Sequence, residues 1–247
     1  MTQRERGVDI EACAREPIHL SGAIQPHGCL FVLAPDADTV VQAAIGPGLD
    51  AVVAAEVVGP SLREVLAPFL EPVLAGLATP LADGEQRHLG DHRSPAGMGY
   101  FAVAHRVGDA TVLELEAAPD DDQRSLEQLH PLIGGFLEEL EQARSIEAVA
   151  QTGAVAVRRI TGFDRVLVYR FDPDGHGTVI AEDRNDRLPS YLGLRFPASD
   201  IPPQARALYR RNRLRLIGDV DYDPVPILGD IGGAASPDLS VSVLRSV

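Results

Sequence analysis

Cysteine is scarce in this 247-residue chain, which contains only Cys13 and Cys29. Two cysteines without regular spacing do not form the disulfide framework typical of small secreted domains. The sequence also lacks an uninterrupted apolar run of about 20 residues, the length needed to cross a bilayer. Its N-terminus has no apolar stretch of signal-peptide length. We therefore expect a cytoplasmic protein without a membrane partner.

Positive charge is also in short supply. The chain has 36 Asp and Glu residues against 22 Lys and Arg residues, a formal net charge of -14. The resulting field repels nucleic acid and anionic membrane surfaces. Catalytic signatures are absent as well, since no GxSxG, P-loop, HExxH or kinase motif occurs. We expect no nucleic-acid partner, and we expect that the chain itself is not an enzyme.

The remaining composition is that of an ordinary globular protein, with 45% hydrophobic and 23% charged residues. At roughly 100 to 150 residues per domain, the length suits two domains. The acidic stretch APDDDQ near residue 120 marks a shift in composition between them. We predict an N-terminal arm over residues 1–17, a first domain over 18–120 and a second over 121–247.

Local patterns in the first domain predict an antiparallel sheet flanked by short helices. From Gly28, the runs CLFVLAP and TVVQAAI have strand composition and are joined by the turn DAD, which predicts a hairpin. Residues 61–78 have helical apolar spacing broken by Pro68 and Pro72. GYFAVAHRV and ATVLELEAA predict two later strands. This order of elements indicates an α+β fold.

The second domain begins with two predicted helices, LEQLHPLIGGFLEELEQA and SIEAVAQTGAVAVRRITG. We expect interruptions around Pro131 and the Gly134-Gly135 pair, and an end to the second helix at Gly162. RVLVYRF and GTVIAED then predict two strands separated by the turn residues DPDGHG.

Three segments carry most of the functional information: CAREPIHLSGAIQPHG at 13–28, TGFDRVLVYRF at 161–171 and RFPASDIPPQARALYRRNRLRL at 195–216. In order and separation they resemble the bacteriophytochromes. The resemblance implies a PAS domain followed by a GAF domain that is incomplete at its C-terminus. It also implies a red/far-red light photoreceptor that signals by bilin photoisomerisation. A figure-of-eight knot is a further implication, with the chain near Ile24 threading a loop of roughly residues 217–247.

The cofactor that the resemblance implies is biliverdin, attached by a thioether to Cys13. Such attachment requires a nucleophilic thiolate on an arm that can reach the bilin, and Cys13 lies in the predicted arm. Cys29 lies in an apolar strand and is interpreted as a buried core thiol. No cysteine occurs from residue 129 onward, so attachment from the GAF domain is not available.

The resemblance also implies a set of pocket residues. Asp200 corresponds to the aspartate whose main-chain carbonyl accepts from the pyrrole N–H groups. Tyr169 and Phe196 match aromatic residues around ring D, while Arg215 and Arg245 match contacts to the propionates, a role for which guanidinium is suited. Ile201, Pro202 and Tyr209 should pack near the bilin. The full set is Tyr169, Phe196, Asp200, Ile201, Pro202, Tyr209, Arg215 and Arg245.

Metal binding is disfavoured by spacing. A zinc set would have to combine Cys13, His19, His27 and Cys29, whose separations do not match usual zinc sites. The sequence from Asp219 imitates the start of an EF-hand loop, yet Pro224 stands where glycine is required and Asp230 where glutamate is usual.

Partners follow from the resemblance. It implies a homodimer and, in the parent protein, a downstream output domain such as a histidine kinase, or a response regulator. The chain ends at DLSVSVLRSV, before the family's Ser-Pro-x-His segment and PHY domain, so we expect a fragment. The alternative function is a PAS-GAF module that binds another small ligand, or that only dimerises, without photochemistry. The pairing of Cys13 with the FPASDIP loop favours the bilin.

Overall fold

The computed structural model of the protein describes residues 16–53, 56–118, 126–229 and 236–246. The chain forms two compact units. The first unit contains the described residues up to 118 and from 204 onward, and the second contains residues 126–203. Among the described residues, every helix is too short or too polar to cross a bilayer.

The elements are numbered in chain order. The strands are β1 Ala23–Ile24, β2 Gly28–Leu33, β3 Val40–Ile45, β4 Gln86–Arg93, β5 Gly99–Val107, β6 Ala110–Ala118, β7 Arg165–Phe171, β8 Gly177–Arg184, β9 Arg195–Phe196, β10 Val225–Pro226 and β11 Leu228–Gly229. The α-helices are α1 Leu62–Val65, α2 Glu71–Leu77, α3 Leu126–Gln142, α4 Ile146–Thr161 and α5 Pro203–Arg211.

The first unit is built on an antiparallel sheet with the strand order β11-β3-β2-β6-β5-β4. The predicted hairpin is confirmed as β2 and β3, and the two later predicted strands are β5 and β6. β4 is absent from the sequence prediction. Its sequence, QRHLGDHR, is polar apart from Leu89, which packs against the core. The strand lies at the sheet edge, where charged side chains discourage further pairing.

The two prolines of the first domain start helical elements. Pro68 begins a 3-10 turn, Pro68–Leu70, and Pro72 lies in the first turn of α2. A missing N–H costs nothing at these positions, since the first N–H groups of a helix have no internal partner. The predicted division into short helices is confirmed.

Both faces of this sheet are buried. Side chains on one face pack against α1 and α2, and those on the opposite face pack against the C-terminal stretch 236–246, which we call the return segment. The first face includes Cys29, Phe31, Leu33, Leu113 and Leu115. The second includes Leu30, Val32, Ala44 and Val112, in contact with Ile24, Leu239 and Leu244. A strand covered on both faces needs no alternation of polar residues, and all of β2 is buried.

A buried carboxylate attaches the return segment to the sheet. Glu114, on β6, accepts hydrogen bonds from the backbone N–H groups of Val243 and Leu244, at 3.1 and 3.2 Å. Burial raises the pKa of Glu114 to about 7, although these hydrogen bonds act in the opposite direction. His105 Nδ1 lies 3.5 Å from Glu114 Oε1, and burial lowers the pKa of this imidazole to about 4. Because His105 is neutral near pH 7, the contact is not a salt bridge.

Residues 23–25 lie between two stretches of the later chain. β1 pairs with β10 on one side, and Ile24 forms an isolated bridge with Arg245 on the other. The buried side chain of Gln25 donates to the carbonyl of Leu216 at 2.8 Å and accepts from the N–H of Gly218 at 3.2 Å. The knot stays a prediction, because residues 1–15 and 230–235 lie outside the described part of the chain.

In the second unit, α3 packs against α4, and α4 packs against a three-stranded antiparallel sheet of order β7-β8-β9. Ser145 caps α4 by accepting from the N–H of Ala148 at 3.1 Å. Gly162 ends α4 with φ 75°, a conformation that favours glycine, as predicted. Small side chains let α4 lie close to the strands. The core consists of Ala150, Ala154 and Ala181, packed with Val166, Val168 and Ile180.

The predicted interruption of the first helix is wrong. α3 runs from Leu126 to Gln142 with Pro131 inside it. An interior proline removes one hydrogen bond and costs about 3 kcal/mol. The unbroken helix packs against α4, and Glu139 lies 3.9 Å from Arg159. Tertiary contact therefore overrides local propensity here.

The buried Glu114 generates a prediction about pH and stability. The folded-state pKa of about 7 lies above the ordinary value of 4.5, so the folded protein holds this proton more tightly than the unfolded chain. The corresponding stabilisation is fully present below pH 4.5 and is lost as the pH rises through about 7. Glutamine does not ionise. The stability of Glu114→Gln relative to wild type should therefore rise by about 1 to 3 kcal/mol between about pH 5 and pH 8.

Urea unfolding at several pH values measures this difference. The control is Glu116→Gln, on the same strand, whose side chain is 27% exposed. If the difference in the free energy of unfolding between Glu114→Gln and wild type does not change with pH, the raised pKa of Glu114 is contradicted. An equal pH-dependent change in Glu116→Gln would contradict it as well.

Candidate functional site

The predicted FPASDIP loop follows β9 in the second unit. It forms a turn in which the N–H of Asp200 donates to the carbonyl of Pro197 at 3.1 Å. The carboxylate of Asp200 is exposed, with the Ser199 hydroxyl 3.5 Å from Oδ1. Ile201 and Pro202 are half-buried. The loop therefore presents a polar aspartate next to an apolar pair.

The aromatic residues of the second unit form one cluster. Tyr169, on β7, lies 6.1 Å from Phe196, on β9, between ring centroids. Tyr169 also makes an edge contact with Phe171 at 5.0 Å. On the other side, Phe196 lies 6.4 Å from Tyr191. The structure thus brings together the two aromatic residues that the sequence predicts, and adds Tyr191 and Phe171, which the prediction omitted.

Gly177 was not singled out from the sequence, yet the position of the Tyr169 ring depends on it. A Cβ at this first residue of β8 would overlap the ring of Tyr169. Gly177 pairs with both Phe171 and Phe196 in the sheet. Only glycine leaves room for the ring at this point. Isolated glycines after a turn are common, so the sequence offered no signal that distinguishes this one.

A cavity of about 390 Å³ lies in the first unit. The N-terminal stretch 16–21 forms one wall, and α5 together with the residues that follow it forms another. The return segment closes the third side. The lining residues are Glu16, Pro17, Ile18, Leu20, Ser21, Ala205, Leu208, Tyr209, Arg215, Ile217, Arg245 and Ser246. Three predicted pocket residues, Tyr209, Arg215 and Arg245, are therefore brought to one cavity.

Arg215 and Arg245 each have hydrogen-bond donors that are not satisfied within the described residues. Arg215 Nη2 donates to the carbonyl of Ser246 at 3.2 Å, and Arg245 Nη1 donates to the carbonyl of Ile18 at 2.8 Å. Arg215 Nη1 and Arg245 Nε are buried without a hydrogen-bond partner among the described residues. Burial lowers the pKa of both guanidiniums, and the charge of Arg215 lowers that of Arg245 further. Two neighbouring cations with unsatisfied donors in a cavity fit an anionic ligand.

Tyr209 contributes the aromatic surface of this cavity. It lies on α5 and is 49% exposed, while Leu208 on the same helix is buried. The helix is anchored beyond its end, where Asn212 Nδ2 donates to the carbonyl of Val241 at 3.2 Å. The return segment therefore fixes the helix that carries Tyr209.

Of the two cysteines, only Cys29 lies within the described residues. Cys13 lies outside the described residues, so its predicted role stays a prediction. Cys29 is fully buried on β2, and burial raises the pKa of its thiol to about 12. A thiol with so high a pKa is almost entirely protonated near pH 7 and is a poor nucleophile. The interpretation of Cys29 as a core residue is confirmed.

Metal ligation receives no support within the described part of the chain, where no group of three or more His, Cys, Asp or Glu side chains could hold an ion. Near the EF-hand-like sequence, Asp219 Oδ1 accepts from the N–H of Asp221 at 2.9 Å, as in a local turn.

Comparison with known proteins identifies the family. The family model described as a PAS fold matches residues 13–118. A cyanobacterial phytochrome B of Nostoc sp. is 39% identical over 257 residues, covering 97% of this chain and 33% of that protein. A bacteriophytochrome of Xanthomonas campestris pv. campestris is 40% identical, covering 100% of this chain and 39% of that protein. The chromophore-binding domain of the Stigmatella aurantiaca bacteriophytochrome has a TM-score of 0.80 at 37% identity, covering 96% of this chain and 79% of that structure.

The chain belongs to the bacteriophytochrome family.

This bacteriophytochrome chain spans about a third of the length of the curated relatives it matches. The recognition made from the three sequence segments is confirmed, as is the α+β fold class with PAS and GAF domains. The predicted boundaries near residues 17 and 120 stay a prediction. The described residues from 204 onward pack with the first unit although they follow the second in sequence.

Family membership implies a bilin chromophore. A bilin is an elongated conjugated tetrapyrrole with two carboxylates, so its site needs cationic donors and apolar or aromatic surface. The cavity of the first unit supplies both, through Arg215, Arg245 and Tyr209. Within the second unit, Tyr169 and Phe196 form an aromatic surface of their own. The residues present therefore fit the group that the family implies.

Gly177→Ala tests the packing of Tyr169. The added methyl group should displace the ring and destabilise the protein by about 1 to 3 kcal/mol, the range for overpacking. Thermal unfolding measures the loss. The matched control is Gly153→Ala within α4, where a Cβ meets nothing within 4 Å. That variant should gain up to about 1 kcal/mol, because alanine favours helix. Equal stability of Gly177→Ala and wild type would show that the ring moves at no cost.

Proposed function

We propose that this chain is a red/far-red photoreceptor module that binds biliverdin covalently through Cys13 and signals by bilin photoisomerisation. The observation that carries the proposal is the pair of neighbouring guanidiniums, Arg215 and Arg245, that line one cavity and are not fully satisfied by hydrogen bonds within the described residues. Family membership supports the same ligand class. When bound, the bilin supplies the absorption of red light and the double bond that isomerises.

Charge selects the ligand class for this cavity. Placing two like charges side by side in a partly desolvated site is unfavourable, and the charge of Arg215 lowers the pKa of Arg245 although Asp238 acts in the opposite direction. Propionates would supply two negative charges and accept hydrogen bonds from the guanidiniums of Arg215 and Arg245 at the cavity wall. The chain as a whole is strongly acidic, with a formal net charge of -14. A local cationic site is therefore needed to hold a dianionic ligand.

Tyr169, Phe196 and the FPASDIP loop have proposed roles at the photoactive end of the ligand. Tyr169 and Phe196 would surround ring D with aromatic surface, which excludes water and limits the orientations of the ring. Asp200 would offer its main-chain carbonyl to the pyrrole N–H groups, because a buried cationic bilin needs acceptors. Ile201 and Pro202, half-buried beside it, would pack against the macrocycle.

Attachment is assigned to Cys13 rather than to Cys29. The thiol of Cys29 is buried and has a pKa of about 12, so it supplies little thiolate. Cys13 is three residues before Glu16, which lines the cavity of Arg215 and Arg245. Three residues of extended chain span roughly 10 Å. A thiol at this position is therefore close enough in sequence to serve a ligand in that cavity.

The parent protein's activities are part of the proposal. We propose a homodimer located in the cytoplasm, with the light signal passed to an output domain such as a histidine kinase, or to a response regulator. The chain itself would perform no enzymatic reaction.

Substitution of the two cysteines tests attachment. After incubation with biliverdin and electrophoresis under denaturing conditions, wild type should show zinc-induced bilin fluorescence. Cys13→Ser should lose the fluorescent band, because no other reactive thiol remains, and Cys29→Ser should retain it. A band that persists in Cys13→Ser would contradict the assignment. Absence of red absorbance in wild type would instead favour a module for another ligand.

Substitution of the arginines tests propionate binding. In the Cys13→Ser background, which leaves only non-covalent binding, Arg215→Gln and Arg245→Gln should each raise the Kd for biliverdin about tenfold or more, because each removes charged hydrogen bonds. Absorbance titration measures the Kd. Arg213→Gln is the control, since Arg213 is exposed in the same basic stretch. Equal Kd values for all three variants would contradict the proposed contacts.

A further inference from the structure

The link between β8 and β9 is held by one carboxylate. Glu182, on β8, has a side chain that is 4% exposed. It accepts from the Ser190 hydroxyl at 2.6 Å, from the N–H of Tyr191 at 3.0 Å and from the N–H of Leu192 at 3.3 Å. Desolvation acts to raise the pKa of Glu182, but these hydrogen bonds outweigh it and hold the pKa below its usual value. The carboxylate thus fixes three consecutive residues of the loop.

Two arginines complete this arrangement. Arg165 Nε lies 3.3 Å from Glu182 Oε1, and Arg184 Nε lies 3.7 Å from Oε2. Arg165 also donates to the carbonyl of Pro189. Its guanidinium carbon stacks 4.1 Å from the centroid of the Tyr191 ring. The ring of Tyr191 is therefore fixed by its own backbone and by the cation that Glu182 orients.

Tyr191 connects this arrangement to the aromatic cluster. Its ring centroid lies 6.4 Å from that of Phe196, which in turn lies 6.1 Å from Tyr169. Phe196 belongs to a strand of only two residues. The backbone before it is also bonded to β8, since Val179 accepts from the N–H of Gly193 at 2.9 Å and donates to the carbonyl of Leu194 at 3.0 Å. The loop that carries Tyr191 thus leads directly into the strand of Phe196, and the ring contact adds a side-chain link between them.

We propose that Glu182 is a positioning residue for Phe196 and Tyr169, acting through Arg165 and Tyr191. The inference rests on the proposed function, because its consequence is that the Glu182 carboxylate tunes the aromatic surface at the photoactive ring of the bilin. Glu182 itself touches no ligand in this scheme. A carboxylate is required because a glutamine would turn an NH₂ donor toward N–H and guanidinium donors.

Three variants and a control separate positioning from simple stability. Glu182→Gln removes the charge, and Tyr191→Leu removes the stacked ring. Tyr191→Phe keeps the stacked ring and should retain the ring resonances and absorption of wild type. The control is Asp183→Asn, adjacent on β8, whose carboxylate lies 3.4 Å from Arg158 and contacts neither Arg165 nor Tyr191 in the described structure.

Two measurements are made on each variant. In the chain without biliverdin, NMR resonances of the Phe196 and Tyr169 rings should shift in Glu182→Gln and Tyr191→Leu. After incubation with biliverdin, the same two variants should show a displaced red absorption band and a smaller photoproduct fraction. The ratio of bilin to protein should be unchanged, because Arg215, Arg245 and Cys13 are intact. Tyr191→Phe and Asp183→Asn should match wild type in both measurements.

Unchanged ring resonances in Glu182→Gln and Tyr191→Leu would overturn the inference, as would shifted resonances with an unchanged absorption band and photoproduct fraction. If wild type binds no biliverdin, the proposed function fails, and the ring resonances alone decide whether Glu182 positions the cluster. If Glu182→Gln does not fold, the contrast between Tyr191→Leu and Tyr191→Phe decides it.

Discussion

The return segment, residues 236–246, is the constraint on which the first unit depends. It covers the second face of the sheet with Leu239 and Leu244, and Glu114 binds two of its N–H groups from inside that face. Without this cover, a strand such as β2, apolar on both sides, would expose one face to water. The same segment carries Arg245, so the packing that stabilises the sheet also fixes a charged side chain at the cavity.

Burial affects the carboxylate of Glu114 in the sheet and the guanidinium of Arg245 at the cavity differently. Burial raises the pKa of Glu114 to about 7, so this carboxylate is partly protonated near neutral pH. Burial lowers the pKa of Arg245, but a guanidinium starts so high that it stays charged. Burial therefore favours the neutral form of Glu114 in the core of the first unit but leaves Arg245 charged at the cavity. An anionic ligand would relieve the repulsion between Arg245 and Arg215.

Sequence patterns predicted those features that depend on neighbouring residues. The hairpin of β2 and β3, the strands β5 and β6, and the glycine that ends α4 all follow from local periodicity or backbone conformation. The edge strand β4 does not follow from local periodicity, because a sheet edge tolerates polar residues. The unbroken α3 does not follow from it either, because the helix continues through Pro131. The site residues named from the family motifs stay predictions, although three of them, Tyr209, Arg215 and Arg245, line one cavity. Gly177 and Glu182 were missed, because their roles are set by side chains that the fold brings to them.

Glu114 shows why this kind of residue escapes sequence reasoning. In ATVLELEAA it has the alternation of an ordinary solvent-facing position, which is how a strand with one exposed face would place it. Its partners are 129 and 130 residues away, in a segment that itself has no regular structure. The return segment makes that face interior and so turns a surface-like glutamate into a buried acceptor. Tertiary cover, rather than strand pattern, decides which polar residues of this sheet are structural, and the same reasoning applies to Glu182, whose partners are loop residues that follow it in the chain.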